Sequence, residues 1–297
     1  MKDTPNFASR PSVLWAARAV SLAEVLLVLV GGGILAQRLR GAVGIPAYKA
    51  LLADPSDAPV DFVWLSGVVA SELCIKFGVM LGIALLVTWL RGRFSFAALG
   101  LTTGGHGFAY LAVVGWVLFA VTFPVKSLLL LNNYISLGEG AAHWWIFELP
   151  WTPGFWLFMA VSSFVLPPIF EELLVRGYMQ TRLAEVFGGR TAILLIAALF
   201  ALSHGQYHHP SPLSVGMLVS IFLGSICLGY LFLRTSSLVP CIIAHSLGNI
   251  PTSNTANFFL IPLMVLTVVV AWKPILSYAM DFLGRPASRL RPIADGE

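Results

Sequence analysis

Charged residues are scarce in this chain. Asp, Glu, Lys and Arg make up 11% of its 297 residues, whereas soluble domains carry about 25%. Hydrophobic residues account for 58%, and the mean hydropathy is +0.84. This composition excludes an ordinary soluble domain and predicts an all-α integral membrane protein with several spans.

A disulfide framework and a strongly basic surface are missing as well. The net charge of +4 does not indicate a nucleic-acid partner, because most of it is expected at the membrane face as orientation charge. Cys74, Cys227 and Cys241 are odd in number and lack metal-type spacing, so we expect buried free thiols. The first apolar run has no small-x-small cleavage site and is expected to be retained as a span.

Hydropathy predicts a single integral-membrane domain over 1–297 with about eight transmembrane helices around an intramembrane cavity. The seventh span is short and contains polar residues, so neighbouring helices must shield it from lipid. Within the domain we expect a motif-bearing core at 150–272 and a basic cytoplasmic tail at 273–297. The predicted spans are 14–36, 66–90, 107–131, 153–175, 191–207, 213–233, 238–250 and 256–272.

The distribution of Lys and Arg predicts that both termini are cytoplasmic. Three of the four outer loops contain neither residue, and the first holds only Arg38, Arg40 and Lys49. In a prokaryote the protein would lie in the inner cell membrane. Glu72 and Lys76, four apart in the second span, are expected to form an intrahelical pair. The residues assigned to the inner side are Lys2, Arg10, Arg91, Arg93, Arg182, Arg190, Arg234, Lys273, Arg285, Arg289 and Arg291.

Ionisable residues inside the fourth span are the strongest sign of function. A charge at bilayer depth costs about 2.5–3.5 kcal/mol on insertion scales, so such groups are kept for a purpose. Glu172 and Arg176 are four apart and share a helix face, which predicts an ion pair. Glu171 is rotated by about 100° and has no local partner. One carboxylate is therefore expected to be structural and the other free for chemistry.

Pro167 and Pro168 are expected to break the fourth span just before the acidic pair. The second half-helix would then begin near Pro168 with Glu171 in its first turn. At 1.5 Å per residue, Glu171 lies roughly 6–15 Å from the inner end of its helix. His245 is about 10 Å into the seventh span and His204 about 20 Å into the fifth, so the three could meet in one cavity.

Three motifs in these spans resemble, in order, those of the CPBP family. This family includes the CAAX prenyl proteases of the Ras-converting type and the bacteriocin-processing and immunity proteins of the Abi group. The motifs occupy about 80 residues within apolar helices. They are Glu171-Glu172-x-x-x-Arg176, Phe200-x-x-x-His204 and His245-x-x-x-Asn249.

The resemblance implies an intramembrane endopeptidase without a covalent nucleophile. Glu171 would be the general base that activates water, and His204 would help to hold that water. His245 and Asn249 would stabilise the oxyanion, as amide hydrolysis requires. Glu172, Arg176 and Phe200 would have structural, orienting roles. The expected substrate is a peptide or protein, with or without an attached lipid, cut near its C-terminus at the membrane.

Other interpretations remain open at this point. No cofactor is expected, but zinc held by Glu171, His204 and His245 is the alternative. His204 and His208 are also four apart, although the chain lacks His-Glu-x-x-His. A non-proteolytic membrane regulator or immunity scaffold could keep the same motifs. A proton-coupled transporter is disfavoured because the polar residues cluster in the second half of the chain only.

Overall fold

The computed structural model describes residues 11–47, 51, 61–91, 99–137, 152–208, 210–250 and 254–284. Within these ranges the chain forms eight helices longer than one turn and no strand. This confirms the all-α, polytopic fold that the composition predicted. The helices are α1 (11–42), α2 (Phe62–Leu90), α3 (Phe108–Leu137), α4 (Pro153–Phe187), α5 (Gly189–Leu202), α6 (Pro212–Thr235), α7 (Val239–Asn249) and α8 (Asn254–Gly284).

Five of the described helical stretches are long and apolar enough to cross a membrane. Two shorter apolar stretches, Phe108–Phe123 and Gly189–Leu202, accompany them. The protein is therefore an integral, multi-pass membrane protein. The five long stretches are Ser12–Ala42, Phe62–Leu90, Pro153–Phe187, Ser214–Thr235 and Leu260–Ser277.

The short helix α7 is shielded as the sequence predicted. None of its residues is exposed, and Pro240, Cys241 and Ala244 are buried. Its main neighbour is α3, which approaches closely through Gly115, where an added Cβ would lie 2.8 Å from the Pro240 carbonyl oxygen. An 11-residue helix is too short to span a bilayer alone, so this packing is what holds it at depth.

Helix α4 alternates between α-helical and π-helical geometry. Two π-helical segments, Ala160–Phe164 and Leu173–Gln180, flank the α-helical turns Leu166–Glu172 that carry the acidic pair. Single π-turns are rare and concentrate at functional sites. The irregular backbone therefore brackets the residues that the sequence marked for chemistry.

The prolines do begin a new half-helix, but Glu171 is not in its first turn. The half-helix starts at Leu166, with Pro167 and Pro168 in the first turn, and Glu171 is its sixth residue. Helix α4 also continues to Phe187 instead of ending near 175. Glu171 is therefore about 24 Å from the inner end, deeper than the predicted 6–15 Å. A carboxylate in the first turn would be stabilised by the helix dipole, but this effect fades beyond that turn, so Glu171 gains little from it.

An ion-pair cluster joins the first half of α1 to the C-terminal ends of α2 and α4. Glu24 of α1 pairs with Arg91, which follows α2, and with Arg182 of α4 at 2.7 Å. Arg182 also pairs with Glu185. Arg18 of α1 donates to the Val186 carbonyl at 3.1 Å. The cluster places Arg91 and Arg182 at the same level and gives partners to Glu24, a charge that the predicted first span of 14–36 left unexplained.

Several boundaries and one burial prediction were wrong. Helix α5 ends at Leu202, not at 207. Helix α8 continues through Pro262 and Pro274 to Gly284, whereas the predicted last span ended at 272, and 285–297 lies outside the described residues. Cys241 is buried, but Cys74 is exposed, because it lies on an outward face of α2.

Candidate active site

A fully buried ion pair stands behind the site. Arg176 Nη1 donates to Glu172 Oε1 at 2.9 Å, and both side chains are 0% exposed. Arg176 Nη2 donates to the hydroxyl of Ser225 at 2.7 Å and to its carbonyl oxygen at 3.3 Å. The pairing predicted from the four-residue spacing is present. Ser225 was missed, although a serine in the middle of the apolar helix α6 was the available signal.

Glu172 also holds the ring of His245. His245 Nδ1 lies 2.7 Å from Glu172 Oε1, the oxygen that accepts from Arg176. The other ring nitrogen, Nε2, lies 3.8 Å from Glu171 Oε2. Both Glu171 and His245 keep part of their side chains accessible, 19% and 13% respectively. The two adjacent carboxylates thus lie next to different nitrogens of the same imidazole ring.

Phe200 is the packing centre of the site. Its ring centroid is 4.8 Å from that of His204 and 6.4 Å from that of His245, edge to face in both cases. The Arg176 guanidinium lies 5.1 Å from the same ring, close enough for a cation–π contact. Phe200 therefore brings both histidines and the buried ion pair into one cluster, as an orienting residue should.

His204 is positioned by the end of α5 and not by its interior. The helix ends at Leu202, and His204 Nδ1 lies 2.7 Å from the Phe200 carbonyl oxygen, to which an Nδ1–H can donate. That bond leaves Nε2 as the nitrogen available to a ligand. His208 follows the short 3₁₀ turn Gly205–Tyr207, so the four-residue spacing does not put His204 and His208 on one helix face.

Asn249 ties the end of α7 to the first π-helical segment of α4. Its Nδ2 donates to the Ser163 carbonyl oxygen at 3.2 Å, and the Ser163 hydroxyl donates to the Asn249 carbonyl oxygen at 3.1 Å. A side-chain amide has two N–H donors, and Ser163 takes one of them. Asn249 is therefore held in place by a reciprocal pair of hydrogen bonds that the motif alone did not indicate.

Lys76 of α2 belongs to the same neighbourhood. His204 lies within electrostatic range of Glu171, Lys76 and His245. The Lys76 ammonium is 4.9 Å from the Phe77 ring, which stacks at 5.3 Å on Phe170, the residue before Glu171. The sequence marked Lys76 only as half of an intrahelical pair, because nothing in its spacing linked it to the motifs.

The alternative to a metal-free site is a zinc ion held by Glu171, His204 and His245. Within the part of the chain that the structure describes, no three His, Cys, Asp or Glu side chains form a group that could hold a metal ion. Glu171, His204 and His245 are all described residues, so this finding applies to them.

The motif-bearing part of the chain matches a known family. Residues 153–251 match the family model "Rce1-like: Type II CAAX prenyl endopeptidase Rce1-like". These residues belong to the CAAX-protease family. The Rce1-like segment covers 99 of the 297 residues, begins with α4, ends just beyond α7 and includes all three motifs. The match supports, at the family level, a CAAX-type intramembrane endopeptidase. No curated protein and no solved structure matches the chain.

Proposed function

We propose that this protein hydrolyses a peptide bond near the C-terminus of a lipidated, membrane-associated substrate, using a water molecule activated by Glu171. The observation that supports it most is the arrangement around His245. Glu171 approaches one nitrogen of the ring, and Glu172 holds the other. A base and an oriented donor thus lie side by side at membrane depth, as metal-free amide hydrolysis needs.

In the proposed reaction, Glu171 takes a proton from water while the water oxygen attacks the carbonyl carbon. Nε2 of His204 holds that water. The oxyanion receives hydrogen bonds from His245 Nε2–H and from the Asn249 amide. His245 must be an imidazolium to donate from Nε2, since Nδ1 already donates to Glu172. Glu171 then passes its proton to the amide nitrogen, the C–N bond breaks, and the carboxylate is restored.

We propose that this reaction needs no metal ion. The proposal is supported by the donor set, because Glu171, His204 and His245 do not form a metal-binding group. Cleavage by purified protein should survive incubation with 1,10-phenanthroline followed by gel filtration. If activity is lost and returns with added Zn²⁺, the glutamate mechanism is wrong and the zinc alternative holds.

We also propose that both termini lie on the cytoplasmic side. The Glu24 ion pairs support this orientation, since they bring Arg91 and Arg182 to the same level as the first half of α1. Both arginines were assigned to the inner side by the positive-inside rule. Cysteine labelling at engineered positions before α1 and within 92–98 should report the same, inner side.

The test of this function is cleavage of a defined peptide. Purified protein in lipid nanodiscs would receive a fluorescent peptide that ends in farnesyl-cysteine followed by three apolar residues. Mass spectrometry should find a new C-terminus at the farnesyl-cysteine. A folded protein that leaves this peptide and a panel of other lipidated and unmodified C-terminal peptides intact would support the non-proteolytic scaffold instead.

A further inference from the structure

Lys76 occupies an unusual depth for a basic residue. It lies near the middle of the 29-residue helix α2, with Phe62 at the outer end and Arg91 at the inner. By helical rise it stands about 22 Å above Arg91. Glu171 stands about 16 Å above Arg182. Because Arg91 and Arg182 both pair with Glu24, Lys76 is at nearly the depth of Glu171 and about 6 Å further toward the outer side.

Two ring contacts link Lys76 to the site. Its ammonium lies 4.9 Å from the Phe77 ring, which is itself buried in the core. Phe77 stacks on Phe170 at 5.3 Å, and Phe170 directly precedes Glu171. The charge of Lys76 also reaches His204. Lys76 is therefore beside the catalytic cluster and not on a remote face of α2.

The Lys76 side chain is nevertheless exposed. At this depth an exposed ammonium faces either lipid tails or a water-filled opening, and basic residues in spans almost always face the latter. Phe77 stacks on Phe170, the residue before Glu171, so an opening at Lys76 would lie next to Glu171. Glu72, one turn away, is the carboxylate whose spacing lets it reach Lys76 before substrate arrives.

We propose that Lys76 binds the C-terminal carboxylate of the substrate and so restricts cleavage to bonds near the end of a chain. A free C-terminus is the one anion that every such substrate brings with it. Three extended residues span about 10 Å. The difference in depth of about 6 Å between Lys76 and Glu171 therefore suits a C-terminal carboxylate two or three residues beyond the peptide bond that is cleaved at Glu171. The inference rests on the proposed endopeptidase function and adds a specificity residue to it.

Binding tests this separately from catalysis. The inactivated variant Glu171→Gln, in nanodiscs, would be titrated with the farnesylated peptide as its free acid and as its C-terminal amide. The acid should bind about 10-fold or more tightly than the amide. In Glu171→Gln/Lys76→Met this preference should vanish through weaker binding of the acid only. Lys76→Arg should keep part of it, and Lys273→Met, an exposed lysine on α8, should keep all of it.

A third peptide distinguishes the source of the carboxylate. It is amidated and carries aspartate as its last residue. Equal binding of the acid and amide, or a preference that persists in the Lys76→Met background, would overturn the proposal. Binding of the aspartate amide as tightly as the free acid would overturn the assignment to the C-terminal carboxylate. Selective binding of the acid without hydrolysis by the protein with wild-type Glu171 would instead contradict the proposed function, and only the binding of the carboxylate by Lys76 would stand.

Discussion

Glu172 Oε1 and His245 Nδ1 lie 2.7 Å apart, and Arg176 donates to the same carboxylate oxygen at 2.9 Å. One atom therefore connects a buried structural ion pair to the ring that faces Glu171. A carboxylate that binds one ring nitrogen of a functional histidine fixes the orientation of the ring. It also determines which nitrogen faces the substrate. Stability and chemistry should consequently be coupled through Glu172.

Changing Glu172→Gln should affect both properties. It leaves the buried Arg176 without a counter-charge, and breaking such a pair costs about 3–5 kcal/mol. It also removes the anion that holds His245, so we expect kcat to fall about 10–100-fold. Denaturant unfolding and peptide cleavage in nanodiscs measure the two effects.

The double variant Glu172→Gln/Arg176→Met separates them. Removing both charges should restore much of the stability, because no uncompensated charge remains. Activity should stay low, since His245 still lacks its carboxylate. Recovery of activity together with stability would mean that Glu172 acts only as a structural partner of Arg176.

Phe200→Leu should lower activity more than stability. The leucine fills much of the same volume, so we expect a loss of about 1–2 kcal/mol in unfolding free energy. It cannot give the edge contacts that hold His204 and His245, and kcat/KM should fall about 10-fold or more. Phe158→Leu is the matched control, because Phe158 is buried in a separate core cluster. Equal activity losses in the two variants would contradict the orienting role of Phe200.

Gly177→Ala tests the close packing behind the site. A Cβ at this position would lie 2.5 Å from the Leu99 carbonyl oxygen, which is backbone and cannot rotate away. Overpacking of this kind costs about 1–3 kcal/mol. Gly78→Ala on α2 meets nothing within 4 Å and should be neutral or stabilising. If Gly177→Ala left the stability unchanged in the same thermal unfolding assay, Gly177 would not be packed tightly against the Leu99 carbonyl.

Local features of the site were predictable from sequence. The Glu172–Arg176 pair follows from spacing alone, because residues four apart on a helix are neighbours. The apolar runs located the eight helices of the described residues, and the three motifs lie in the segment that matches the Rce1-like family. The shielding of α7 followed from its length and polar content.

Features that depend on packing between helices were not predictable. Glu172 and His245 are 73 residues apart, and no periodicity indicates that one carboxylate oxygen would hold both a guanidinium and an imidazole. Hydropathy also could not show that α5 ends before His204, because the apolar run is followed by residues that fit either a helix or a turn. Lys76 joined the site only through the stacking of Phe77 on Phe170.

The π-helical segments of α4 were equally invisible to hydropathy. Their side chains are as apolar as those of a regular span, and the extra residue per turn leaves no compositional trace. The depth of Glu171 was underestimated for a different reason, which is the length of α4. The predicted helix ended at Val175, where the apolar run ends. The observed helix α4 continues to Phe187.

The rate of peptide cleavage by Glu171→Gln tests the central claim most directly. The amide keeps the size of the carboxylate but cannot accept a proton from water, so kcat should fall about 10²–10⁴-fold in a protein that unfolds like wild type. Glu185→Gln, at the inner ion-pair cluster, should cleave at the wild-type rate. Cleavage by folded Glu171→Gln at a rate close to wild type would contradict the assignment of Glu171 as the general base.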